Sequence, residues 1–198
     1  WPQPLLKMFI YFVMEFIIGL IIGFIFSLAF TTIQLAGQFI DRRMGYALAN
    51  VMNPSEGFQV PLVGQFKNIV ATLIFLTVNG HHYILKILDE SFMMVPINQL
   101  SFSTGLAQSL MKIIGDIFPI AFKIALPIVS ILFIIDLAFG LVARVVPQMN
   151  VFIMGMPTKS LVGLLMLSFV LGNYINFLEG FFTDTVQNLY NVLQVMGP

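Results

Sequence analysis

Few residues in this chain could do chemistry, so each can be weighed singly. His81 and His82, followed by Asp89 and Glu90, form the densest group of metal-ligating or acid–base side chains. Successive helical positions point about 100° apart, so the two imidazoles cannot ligate one ion from one face. The spacing that sets two histidines on one helical face around a glutamate is absent. A histidine pair directly after Asn79-Gly80 reads instead as the polar tip of a turn. Glu15, Asp136 and Arg144 stand in apolar surroundings, where a lone charge is costly and is normally paired or placed in a wet cavity. Asp136 and Arg144 are two helical turns apart, about 12 Å along one axis, so each needs a partner on another element. Lys112, Asp116 and Lys123 fall within about 40° of one another on a helical wheel, forming one narrow polar stripe. There is no cysteine, hence no thiol nucleophile, disulfide or thiolate metal site. No nucleophile elbow, phosphate-binding glycine loop or pair of carboxylates between apolar walls is present. The residues read as a non-enzyme with no cofactor and no metal.

These sparse charges are set in an apolar chain. Of 198 residues 59% are hydrophobic and only 9% charged, with a mean hydropathy of +0.96. A soluble domain carries about 25% charged residues, so this inventory builds a membrane or membrane-complex protein. Nine Lys+Arg balance nine Asp+Glu, and no basic patch argues for nucleic acid. Trp1, Pro2 and Pro4 lead straight into an apolar helix without a charged leader or a small-residue cleavage site. The chain is therefore expected to start inside a longer gene product.

Four apolar blocks follow. Leu5–Ile40 is too long for one perpendicular span, since 36 helical residues reach about 54 Å against a hydrocarbon core of about 30 Å. It should tilt, break or continue outside the bilayer. Its Gly19 and Gly23 form a GxxxG step that lets another helix approach. Leu62–Leu88 has an apolar core of only ten residues, Ile69–Val78, too short to span, and predicts a helical hairpin turning at Asn79-Gly80. Gly105–Val146 carries Pro119 and Pro127, which kink helices. Pro157–Phe182 holds the 19-residue uncharged core Ser160–Leu178, a conventional span. Beyond it, residues 183–198 continue an amphipathic helix whose apolar face is Phe182, Val186, Leu189, Leu193 and Met196. Lacking Lys and Arg, that face suits a partner subunit or a preceding hairpin better than anionic lipid. The fold class is all-α: long kinked helices and helical hairpins of a membrane-associated subunit.

One stretch departs from the usual economy of membrane-protein loops, which are short or very polar. Asp41–Pro61, DRRMGYALANVMNPSEGFQVP, mixes helix-compatible residues with a turn signal at Asn53-Pro54-Ser55-Glu56-Gly57 and ends on Pro61, which opens the next apolar run. It reads as a segment meant to sit inside something.

The runs AGQFIDRRMGYALANVMNPSEG, PLVGQF, NGHHYILKILDESF and ALPIVSILFIIDLAFGLVARVVPQMNVFIMGMPTKSLVGLL resemble the R subunit of the bacterial flagellar and type III secretion export gate. The likeness extends from about residue 12 to residue 185, and its most specific piece is PQMNVFIMGMP. The flagellar branch fits better than the virulence branch. The resemblance implies one R-type domain over 1–198, preceded in the family by two further apolar helices that this sequence lacks. It implies a place in the bacterial inner membrane, in the export apparatus of the flagellar basal body. It also implies packing against P-type and Q-type gate subunits and a B-type switch subunit, with lipid around the assembly and unfolded export substrates passing through it.

By the same resemblance, residues 44–60 are a pore plug, its contacts drawn from Met44, Tyr46, Leu48, Val51, Met52, Asn53, Pro54, Gly57 and Phe58. Arg42 and Arg43 depart from the mostly uncharged residues expected at its base. Partner packing is expected at Gly19, Gly23, Pro147, Gln148, Met149, Asn150, Phe182, Val186, Leu189 and Leu193. The function implied is a structural subunit that closes the helical pore assembly and plugs it at rest. A multi-spanning solute or ion transporter is the alternative.

Overall fold

A computed structural model of the chain describes residues 3–46, 61–96, 104–148 and 150–197, and every element among them is helical. These are α1 (Gln3–Met44), α2 (Leu62–Thr77), α3 (Gly80–Met94), α4 (Thr104–Val145) and α5 (Val151–Met196). The all-α class follows from composition, because in a chain this apolar the helix satisfies its backbone hydrogen bonds within itself. Three helices, Leu5–Met44, Thr104–Val145 and Ile153–Met196, are long and apolar enough to cross a membrane. The first block does not break: α1 runs 42 residues without interruption. α4 likewise continues through Pro119 and Pro127. Residues 183–196 form the last turns of α5 rather than a separate helix.

The described residues group into two compact units. The first draws on Trp1–Thr31, Leu73–Ile117 and Leu178–Pro198, the second on Thr32–Thr72 and Phe118–Phe177. α1 serves both through one stripe: Ile18, Ile22, Ile25 and Ala29 are buried in the first unit, and Ile33, Ala36, Ile40 and Met44 in the second. The steps of three and four residues keep this stripe on one side of the helix. Off the stripe, Phe12, Phe16, Leu20 and Phe24 are apolar too, yet exposed.

Aromatic rings hold the first unit. Phe75 of α2 meets Phe26, Phe30 and Phe182 with ring centroids 6.1, 5.7 and 5.2 Å away, each close to edge-on, the geometry that ring quadrupoles favour. The apolar face of α5 packs here. Phe182, Leu189, Leu193 and Met196 are buried within the chain, Val186 is half-buried, and Asp184, Gln187, Asn188, Asn191 and Gln194 face outward. Tyr190 adds a polar tie, its hydroxyl donating to Glu90 of α3 at 2.5 Å, while Lys86 pairs with the other oxygen of Glu90 at 3.7 Å.

The helix break at Asn79-Gly80 falls where the turn signal lies. α2 ends at Thr77, Asn79 takes a left-handed φ of 58°, and Gly80 sits so close to Phe75 that a Cβ there would lie 2.1 Å from its ring. The two arms differ in direction by 64°, which makes an elbow rather than the full reversal of a hairpin. The chain changes direction there through two residues outside helix, Val78 and the left-handed Asn79.

Substitution of Leu189 and Leu193 by Asp is expected to act on the chain itself before any partner is involved. Each leucine is fully buried, and truncating such a side chain even to Ala typically costs about 2–5 kcal/mol. The double variant should lose its folded peak in detergent size-exclusion chromatography, whereas Gln187→Asp with Asn191→Asp, on the exposed face, should keep it.

Candidate functional site

The ends of the unusual 41–61 stretch meet in the second unit. α1 and α2 cross there at a pair of glycines: a Cβ built on Gly37 would stand 2.1 Å from the Cα of Gly64. No larger residue fits without moving backbone, so the two helices touch main chain to main chain. One turn beyond Gly37 lies Asp41, only 5% exposed. Its carboxylate accepts the N–H of Val63 at 3.0 Å and of Gly64 at 3.2 Å.

Those two amides belong to the first turn of α2, where N–H groups have no intrahelical acceptor. Ser, Thr, Asp or Asn immediately before a helix normally satisfies them. Here Pro61 occupies that place, its carbonyl accepting from Gln65 at 2.8 Å, and it has no side-chain acceptor to offer. Asp41 therefore caps α2 from another helix. Its negative charge also faces the positive end of the α2 dipole, and charge-assisted bonds of this kind are stronger than neutral ones.

Two contacts brace the cap. Met44, fully buried, lies against Gly163 of α5, and Gly45 leaves the helix with φ 91° beside Met156. One turn into α2, Lys67 is 3% exposed. Its ammonium stands 4.1 Å from the centre of the Tyr174 ring, and the Tyr174 hydroxyl donates to the Lys67 carbonyl at 3.4 Å. A cation over an aromatic face gains more as water is removed. Asp136 of α4 pairs with Lys159 of α5, which supplies the partner that an ionised residue in its surroundings requires.

The structure treats the expected site residues unequally. Met44 is buried and Tyr46 half-buried beside the cap, while Leu48, Val51, Met52, Asn53, Pro54, Gly57 and Phe58 lie outside the described residues. Arg42 and Arg43 are exposed. Gly19 and Gly23 face open space, with nothing within 4 Å of an added Cβ, so the GxxxG step is unused within the first unit. Pro147, Gln148 and Asn150 are exposed, and Met149 lies outside the described residues. Asn150 caps α5 through its side-chain oxygen, which accepts from Ile153 at 3.3 Å. In the polar stripe, Lys112 and Asp116 are exposed in the first unit and Lys123 in the second. The His81 and His82 rings lie with centroids 4.2 Å apart and planes tilted by 46°. Among the described residues no group of three or more His, Asp or Glu could hold a metal.

Asp41, Lys67 and Tyr174 were not singled out from sequence. One signal for Asp41 was available: the α2 start, Gln59-Val60-Pro61, offers no good capping residue, while an Asp interrupts the apolar run of α1.

An all-helical protein with membrane-spanning capacity, built around a long inter-helix segment clamped at its base, is the class that these features define. The family profile described as bacterial export proteins, family 1, matches residues 1–185. The chain belongs to that family. It is 38% identical over 186 residues to the flagellar biosynthetic protein FliR of Bacillus subtilis, covering 92% of this chain and 72% of that protein. It is 34% identical over 181 residues to the FliR of Pectobacterium carotovorum, covering 91% and 69%. It is also 28% identical over 158 residues to the surface presentation of antigens protein SpaR of Shigella sonnei, covering 78% and 60%.

Replacing Asp41 by Ala should strip two amides of their acceptor at a cost of about 0.5–2 kcal/mol. Hydrogen exchange at Val63 and Gly64 should accelerate, with Asp41→Asn intermediate because it keeps one oxygen acceptor. Gly37→Ala should be worse than either, an overpacking of about 1–3 kcal/mol, while Gly19→Ala should leave the melting temperature unchanged.

Proposed function

We propose that this chain is a non-enzymatic structural subunit of a type III protein-export gate in the bacterial inner membrane, and that residues 44–60 plug the pore at rest. The observation that carries the reading is the Asp41 cap. It fixes both ends of the 47–60 segment to one point, Met44 on one side and Val63-Gly64 on the other. A plug must resist displacement by a transmembrane pressure of ions and yet yield to a driven polypeptide. A segment anchored at both ends meets that need.

Membership of the bacterial export proteins and likeness to FliR and SpaR proteins support the export role. Identities of 38% and 34% to two FliR proteins, against 28% to SpaR, favour the flagellar basal body. P-type, Q-type and B-type subunits are the partners proposed, and unfolded export substrates the transient ones. Large exposed apolar side chains such as Leu141, Val145, Ile153 and Phe169 support this, because surface of that kind is covered by lipid or by protein. The energy for transport comes from outside this chain. A solute or ion transporter finds no support among the relatives.

In a complex that still assembles, deletion of Ala47–Gly57 should raise ion leak at rest while leaving export operative. Tyr46→Ala with Phe58→Ala should leak more than Arg42→Ala with Arg43→Ala, because both arginines are exposed and an ion pair made at such a site is worth only about 0–1 kcal/mol. Resting conductance in planar bilayers measures both. An unchanged conductance in the deletion would remove the plug, and a larger leak from the arginine pair would reverse the ranking of apolar grip over charge.

A further inference from the structure

Beside the cap, on the outer side of the second unit, lies an open groove of about 350 Å³ lined by Phe39, Arg42, Arg43, Phe118, Phe122 and Val129. Its floor is aromatic: Phe39 meets Phe118 and Phe122 edge-on, with centroids 5.4 and 6.3 Å apart. Its rim is cationic, and among the described residues neither Arg42 nor Arg43 is paired with a carboxylate. The volume is in the range of small-molecule sites. We propose that this groove binds an anionic phospholipid, with the phosphate on Arg42 and Arg43 and an acyl chain along Phe118, Phe122 and Val129.

Three features select this occupant. The arginines occupy the last turn of α1, directly after a run of 25 uncharged residues, Phe16–Ile40, closed by Asp41. Basic residues at the end of a membrane-capable helix lie at headgroup depth. Guanidinium groups match phosphate oxygens with paired N–H donors, more specifically than a point charge does. Lastly, Phe118 and Phe122 remain 60% and 46% exposed, and α1 and α4 are both apolar enough to border lipid. A charged rim over an apolar floor fits an amphiphile, whereas a free inorganic anion would leave the three rings uncovered. The inference does not depend on the plug, since it concerns the outer side of α1 and α4 and not residues 47–60.

Native mass spectrometry of the purified membrane complex, delipidated and then titrated with palmitoyl-oleoyl phosphatidylglycerol or phosphatidylcholine, tests it. The wild type should retain phosphatidylglycerol preferentially. Arg42→Gln with Arg43→Gln should weaken that binding about tenfold or more, while Arg144→Gln, an exposed arginine outside the groove, should not. Both variants change exposed side chains, and intact assembly on size exclusion confirms that the complex survives. A photo-cross-linking residue at position 122 should attach to lipid. Equal retention of the two lipids, undiminished phosphatidylglycerol binding in the Gln variant, or cross-links from position 122 to a protein subunit would each overturn the proposal.

Discussion

The N–H groups of Val63 and Gly64 need an acceptor, and the residue that opens their helix cannot provide one. The constraint they impose organises the second unit. Asp41 can reach them only because Gly37 and Gly64 let α1 and α2 approach to main-chain contact. Removing the Asp41 carboxylate would leave buried amides without partners, a larger penalty than loss of an ordinary hydrogen bond. The charge, the glycine pair and the proline are thus one device. Its effect is to bring the two ends of the 47–60 segment to a single base.

The two units use different physics. Aromatic packing around Phe75, with the fully buried Leu189 and Leu193, gives the first an apolar core. The second contains the buried charges Asp41 and Lys67 and the half-buried Asp136–Lys159 pair, each with a defined partner or a ring face. Burying a charge is costly unless it is paired and hydrogen-bonded. Buried ionic groups concentrated around the base of one segment therefore mark where geometry matters most. Elsewhere apolar side chains are left uncovered, as along Phe12, Phe16, Leu20 and Phe24 of α1, in keeping with a subunit whose remaining surface belongs to lipid or to neighbours.

Helix class, the break at Asn79-Gly80 and the two-faced end of α5 were legible because each rests on local signals: composition, turn residues and a repeat of three and four. The buried stripe of α1 was not. When a helix is apolar on every side, periodicity carries no information about which face is inside, and Ile22 and Leu20 look alike until packing separates them. The angle at Asn79 was missed for a related reason, because a turn signal locates a change of direction without fixing its size. Asp41 gives no local signal, because its partners lie 22 and 23 positions later. A cap supplied from another helix leaves only a negative trace, a helix start lacking its own capping residue. The GxxxG step at Gly19 and Gly23 drew notice, while the glycines in contact, Gly37 and Gly64, belong to different helices and form no motif.

In the proposed gate, the Asp41 cap keeps the 47–60 segment in place at rest. Single-channel recording of assembled complexes carrying Asp41→Ala or Asp136→Ala addresses it most directly, since each variant removes one partnered carboxylate from the same unit. Frequent resting openings are expected in Asp41→Ala and a closed baseline in Asp136→Ala. Equal conductance in the two variants, or a closed baseline in Asp41→Ala with the complex intact, would contradict it.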